Sequence, residues 1–511
     1  MYRIGASAGQ GSQAAKPRGP RANVAVFRNS IALMWLSAAF LLALGMTTSS
    51  SQGGEKGARR DASPVDEATL KAFNKAGQMV CVWAPKQGAA AVKAVQQLGL
   101  VIDLRDDDSA MLICKWKGDL KKETLAALHK EAAIDYVEPD PEVKLQCVEP
   151  QNKPGSVRRG KTPKAGPSVR RPNDPEFGQL YGMEMIRAST AWSTVQVSPV
   201  LVAVVDSGID SNHIDLKGNV RADLGIDFTR VDKNRRPTKN PVDENGHGTH
   251  VAGTIAAVGN NGVGVTGVCW RAKLVSLRVL DKDGEGSNAR TAAGINAAVR
   301  LKARVINLSI TGTEDTKVLR DAVTRAEKAN VLVVCAAGNV DEPDKILDND
   351  KRPMFAAGYK NANVISVAAV GKNGALASFS HFGQRTVHLA APGDEILSTT
   401  PGSKFGKLGG TSQATPHVAG AAALILGHPD HRNKGAAELR RLILANVRKT
   451  QGLKDKCVTG GILDIGFLAR ASNPPLVKGA RAASTGAAGS PPAVIPSTVS
   501  PRATPRATPK Q

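Results

Sequence analysis

Between about Asp174 and Ala471, short apolar runs alternate with stretches of helical period. The runs are Val200–Val205, Leu274–Leu280, Val305–Ile310, Val331–Cys335 and Val364–Val370, with helical patterns such as Ala289–Leu301 and Lys317–Ala329 between them. Strands apolar at every position are buried on both faces, and a helical crossover is the connection that parallel pairing needs. The order therefore predicts an α/β fold, a parallel sheet flanked by helices. With 4% aromatic residues and 51 glycines, the interior is expected to be Ala, Val, Ile and Leu packed through tight turns.

In such a sheet, chemistry gathers at the carboxyl ends of the strands. VLVAVVDSGID puts Asp206 directly after a buried strand, where a desolvated carboxylate needs a partner. His247, in NGHGTHVAGTIAA, opens a small-residue helix whose glycines let another backbone come close. Ser412, in GGTSQATPHVAGAAALIL, follows a glycine turn and begins another helix, whose amides supply positive potential for an oxyanion. A serine hydroxyl is a poor nucleophile until a base removes its proton, and an imidazole held by a carboxylate can do that. Taken singly, each residue reads as a cap or a structural group; together they supply carboxylate, base and nucleophile.

DSGID, HGTHVAG and GTSQATPHVAGAAAL, in the order Asp, His, Ser, resemble the three signature motifs of the subtilisin-like serine proteases, over about Asp174 to Ala471. The resemblance implies a serine endopeptidase that forms an acyl-enzyme on Ser412, with His247 as base and Asp206 as the carboxylate orienting it. VLVVCAAGN places Asn339 at a strand end, where the family's asparagine donates to the oxyanion. Two segments are similar to the family's substrate-binding strands: Gly284, Glu285 and Gly286, and Ser309, Ile310 and Thr311. Ile310 and Thr311, where the family often has Leu and Gly, are expected to narrow the cleft. Gln413 stands where Met is common.

A structural calcium ion is implied at Asp215 with Asn261, Val263 and Val265, oxygen donors suited to a hard cation, although Gly259 reads as an extra residue in that loop. No catalytic cofactor is expected. His247 and His250 are spaced like helical metal ligands, but no HExxH glutamate or third ligand accompanies them. His250 is expected to be a packed structural histidine. The competing expectation is a binding or scaffold protein that keeps the fold without turnover, its basic tails tethering it to an anionic surface.

Residues 66–147 form a smaller α+β pattern. Apolar runs at Val80–Trp83 and Ala110–Trp116, helical patterns at Ala89–Leu98 and Lys121–Ala132, and a strand-like Tyr136–Val137 give two crossovers. By the same resemblance this is a ferredoxin-like inhibitory pro-domain. It would lay its carboxyl end through the active site and be removed by self-cleavage between about Lys144 and Asn173. Residues 148–173 carry Pro, Gly and the pairs Arg158–Arg159 and Arg170–Arg171, and are expected to be an exposed basic linker before the peptidase domain at 174–471.

The formal charge of +23 would suggest nucleic acid, but it lies mostly in the ends and linker, which lack interleaved aromatics, so no nucleic-acid partner is expected. Ile31 to Met46 is an apolar run behind Arg3, Lys16, Arg18, Arg21 and Arg28. Residues 1–46 are read as a signal peptide, giving a secreted protein, or else as an anchor that ties it to a membrane. A polar spacer follows at 47–65, and the Pro, Ala, Ser and Thr of 472–511 are expected to be disordered. The remaining partners expected are protein or peptide substrates, with the protein itself a monomer. Six cysteines without a CxxC indicate neither a zinc site nor a disulfide framework. Cys269 and Cys335 read as buried thiols, and Cys81 and Cys114 as neighbours on adjoining strands.

Overall fold

The computed structural model describes residues 65–146, 171–340 and 348–469. The apolar Ile31–Met46 run, the linker up to residue 170, Cys147 and the tail from residue 470 lie outside the described residues. Among those described, no helix is long and apolar enough to cross a membrane.

The body is built on a ten-stranded sheet. Its parallel core places Leu389–Pro392, Val364–Val370, Leu332–Ala336, Val305–Leu308, Val197–Asp206, Arg271–Arg278 and Ile226–Val231 side by side. Antiparallel pairs, Ile226–Val231 with Pro237–Thr238 and Arg448–Lys449 with Gly461–Ile462, occur only at the edges. Both faces are covered, as the apolar runs require. Val202 and Val204 join one hydrophobic cluster with the Thr411–Gly427 and His247–Ala256 helices. Their neighbours Ala203 and Val205 join another with the Asn288–Arg300 and Lys317–Lys328 helices.

The buried Thr411–Gly427 helix packs closely because it is made of small residues. A Cβ on Gly420 would lie 2.8 Å from Val268 Cβ and 3.0 Å from the Ile255 carbonyl.

Residues 65–146 form a four-stranded antiparallel sheet in the order Val101–Asp106, Met111–Lys115, Gln78–Trp83, Ile134–Pro139. The Gly88–Gln97 and Lys122–Lys130 helices match the expected crossovers. The Val101–Asp106 strand and the Glu67–Ala76 helix, capped by Asp66 accepting from the Thr69 amide at 2.7 Å, are additions to the sequence reading.

Met79, Cys81, Leu112 and Cys114 pack with this unit's own helices, whereas Val80, Leu104, Met111 and Ile113 join the body's cluster over the Asn288–Arg300 helix. Register puts Cys114 opposite Met79 and Cys81 opposite Leu112, so the two thiols sit on adjoining strands and one face, both reduced.

Carboxylates complete the contact between the two parts. Asp140 accepts from the Ala289 amide at 2.8 Å, and Glu138 from the Lys317 and Val318 amides at 2.8 and 2.7 Å. Each thus meets the positive amino end of a helix. Asp103 pairs with Arg235 at 3.3 Å, Asp107 with Arg236 at 2.8 Å and Asp108 with Arg300 at 2.9 Å.

Candidate active site

Asp206 ends its strand with no solvent exposure. Its Oδ1 accepts from the Ser207 amide at 2.8 Å and faces His247 Nδ1 at 2.7 Å. A carboxylate at that distance holds the ring proton on Nδ1 and leaves Nε2 as the basic nitrogen.

His247 opens its helix after Gly246, whose φ is +103°. The turn is organised by Asp243, which the sequence reading missed. Its Oδ1 accepts from Ser207 Oγ at 2.9 Å and from the Asn245 and Gly246 amides at 3.1 and 2.8 Å; its Oδ2 accepts from the Thr249 amide and hydroxyl at 2.8 and 2.6 Å. Ser207 Oγ in turn accepts from the Gly248 amide at 2.9 Å. The end of the Asp206 strand and the start of the His247 helix are therefore tied through one buried carboxylate. An acid two residues before an Asn-Gly pair was the available signal.

Ser412 is the second residue of the Thr411–Gly427 helix, after Gly410 at φ +149°, and that helix packs against the one begun by His247. Pro416 lies inside the helix and has no N–H, so the Ser412 carbonyl lacks its helical donor. Ser309 Oγ supplies the missing bond at 2.8 Å, and Ser412 Oγ donates to the Ser309 carbonyl at 2.9 Å. Ser309, expected to bind substrate, thus holds the serine turn. Asn339 Oδ1 accepts from the Thr411 amide at 2.8 Å, which fixes the amide face of that side chain.

Its Nδ2 donates to the main-chain carbonyl of Gln146 at 2.5 Å, while the Asn339 amide donates to Gln146 Oε1 at 3.1 Å. The segment leading to Gln146 runs along the body as an added strand. Glu142–Lys144 pairs antiparallel with Glu285–Ser287, and the Leu145 amide donates to the Gly284 carbonyl at 2.9 Å. Val143 is buried in the cluster that holds Leu280 and Ile310, and a Cβ on Gly312 would lie 3.1 Å from its Cγ1. Of the expected binding residues, Gly284, Glu285 and Gly286 line this strand; Ile310 packs in the cluster that takes Val143, and Thr311 is buried at 8% exposure.

Asp215, Asn261, Val263 and Val265 do gather. Asn261 Nδ2 donates to Asp215 Oδ1 at 2.8 Å, the Val265 amide to Asp215 Oδ2 at 3.0 Å, and the Val263 amide to Asn261 Oδ1 at 2.8 Å. Burial pushes the Asp215 carboxyl up to about 6, and nearby Asp174, bound by the Asn260 and Asn261 amides, adds to the rise. Neither carboxylate forms an ion pair among the described residues, and no cluster of three His, Cys, Asp or Glu side chains occurs there. Two carboxylates with amide and carbonyl oxygens are a donor set of the kind calcium takes. Gly259 fits tightly: a Cβ on it would lie 2.4 Å from Thr266 Oγ1.

His250 is fully buried, its Nε2 donating to the Ile396 carbonyl at 2.9 Å, and burial with His247 beside it pushes its pKa down to about 3. It is a neutral packing residue. Burial likewise pushes the Cys269 and Cys335 thiols up to about 12, as expected of inert cysteines.

Residues 198–460 match the Peptidase S8 profile, the subtilase family. The chain is 40% identical over 282 residues to thermitase of Thermoactinomyces vulgaris, covering 55% of this chain and 93% of the relative. It is 41% identical over 251 residues to the major intracellular serine protease of Bacillus subtilis, covering 49% and 75%, and 42% identical over 257 residues to subtilisin E of the same species, covering 50% and 62%. With its match to the family over half its length and to nearly all of thermitase, the chain belongs to the subtilase family and is a serine-type endopeptidase.

Proposed function

We propose that this endopeptidase is made as a zymogen and cleaves peptide bonds through an acyl-enzyme on Ser412. Ser412 Oγ attacks the carbonyl carbon as its proton passes to His247 Nε2; Asp206 holds the imidazole by Nδ1 and stabilises the cation formed. Asn339 Nδ2 donates to the oxygen as it becomes an oxyanion, with the Ser412 turn amides beside it. The imidazolium then protonates the leaving amine, and water attacks the acyl carbon by the same relay.

The single observation that carries the reading is the Asn339 Nδ2 bond to the Gln146 carbonyl. It supports the view that residues 66–147 are an inhibitory pro-domain, in β-α-β-β-α-β order, whose end occupies the cleft as a substrate does. The maturation bond is then Gln146–Cys147. In the full-length protein, Ser412→Ala should leave the precursor in one piece, and amino-terminal sequencing of the mature wild type should begin at Cys147. A mature chain beginning elsewhere would refute the bond assignment; processing by the variant would refute self-cleavage.

Export rests on the apolar Ile31–Met46 run behind five basic residues, and fractionation tests it, since relatives include enzymes named intracellular. Calcium, if bound, is held by Asp215, Asn261 and the Val263 and Val265 carbonyls as a structural ion. Chelation should then lower the melting temperature of the wild type and leave that of Asp215→Asn unmoved.

A further inference from the structure

Pairing of Glu142–Lys144 with Glu285–Ser287 fixes which side chains face each other. Glu285 lies directly opposite Lys144, Gly286 opposite Val143, and Ser287 opposite Glu142. Because the register comes from main-chain bonds, any substrate laid in the same strand presents its corresponding residue to Glu285.

The loop before Glu285 is built to present that carboxylate. Asp281 Oδ1 accepts from the Asp283 and Glu285 amides, both at 2.9 Å, which folds the turn, and Asp283 pairs with Lys282 at 2.6 Å. Glu285 is left to face the bound strand, where its Oε1 meets Lys144 Nζ at 2.6 Å. Among the described residues it pairs with no other cation. Lys144 is held further toward its charged form by the Glu285 bond first, then by Glu142 and Asp283 nearby.

Counting from Gln146 as the residue before the cleaved bond, Lys144 is the third, Leu145 the second and Val143 the fourth. We propose that Glu285 is a specificity residue, selecting peptides with Lys or Arg three residues before the bond that is cut. The inference rests on the reading of Gln146 as the residue whose carbonyl is attacked.

Lys144 and Glu285 side chains are 63% and 38% exposed, so the selection is moderate and salt-dependent. An exposed pair with repulsion of the wrong charge added corresponds to about a three- to tenfold preference at low ionic strength.

The test uses the full-length protein, matured in place, and three fluorogenic peptides differing at one position: Val-Lys-Leu-Gln, Val-Ala-Leu-Gln and Val-Glu-Leu-Gln ahead of the reporter. For the wild type, kcat/KM should fall in the order Lys, Ala, Glu, with the spread shrinking as salt rises. Glu285→Gln should flatten the order and Glu285→Lys should reverse it, while cleavage of the Ala peptide shows each variant to be folded and active. Equal rates on all three peptides by the wild type, or an order that Glu285→Lys leaves unchanged, would overturn the selectivity. Failure of the wild type to cut any peptide after Gln would instead overturn the assignment of Gln146 on which it depends.

Discussion

Asn339 reaches across 193 residues of sequence to hold the Gln146 carbonyl through Nδ2 while its Oδ1 holds the Thr411 amide beside Ser412. One amide side chain therefore bridges the turn that carries Ser412 and the Gln146 carbonyl. A donor in that position bonds more strongly to an oxyanion than to a neutral carbonyl, so its effect falls on turnover.

Asn339→Ala should lower kcat by about 10²–10³ with little change in KM, the cost of losing one oxyanion donor in a subtilisin. Steady-state kinetics on a peptide substrate check this. A rise in KM at unchanged kcat would mean that Asn339 only binds the ground state.

Asp206→Asn should cost about 10⁴ in kcat, because an amide facing Nδ1 no longer selects the productive tautomer or stabilises the imidazolium. The melting temperature should move far less than the rate. Parallel losses in both would make Asp206 structural only.

Gly248→Ala should disrupt the site from outside the relay. A Cβ there would lie 2.0 Å from the Gly208 carbonyl oxygen, which belongs to backbone and has no side chain to swing away. About 1–3 kcal/mol of destabilisation is expected from such overpacking, with activity lost as His247 is pushed from Asp206. Denaturant titration and peptide hydrolysis measure the two effects.

Asp140 makes the contact between the two parts sensitive to pH. It is fully buried, and burial pushes its carboxyl up to about 6; the Ala289 amide, Ser287 and Arg290 pull it back, and Asp103 adds to the rise. A carboxyl whose folded pKa exceeds its ordinary value contributes stability that is full below about 3.8 and is lost as pH rises through about 6. In a Ser412→Ala background that keeps the chain whole, wild-type Asp140 should lose melting temperature relative to Asp140→Asn between pH 4 and pH 7. A gap constant with pH would show that Asp140 does not titrate on unfolding.

The body's sheet was legible because fully apolar runs such as Val364–Val370 announce strands buried on both faces, and the three motifs stood at strand and helix ends. Val101–Asp106 escaped because its apolar residues alternate with acids and Arg105, on a strand at the sheet's edge facing the body's arginines. Gln146 carried no local signal at all. Its role comes from where the preceding strand docks, and that is set by contacts with residues 284–287 and 339 that no periodicity records. Ser309 was read from the sequence only as a substrate-binding residue, and its bond to the Ser412 carbonyl went unforeseen because it answers the missing N–H of Pro416, a residue far from it in sequence.

The most direct test of the relay is to treat the mature protein with a fluorophosphonate and locate the label by mass spectrometry. One equivalent on Ser412 is the predicted result. Undiminished peptide hydrolysis by Ser412→Ala, or a label on another serine, would contradict it.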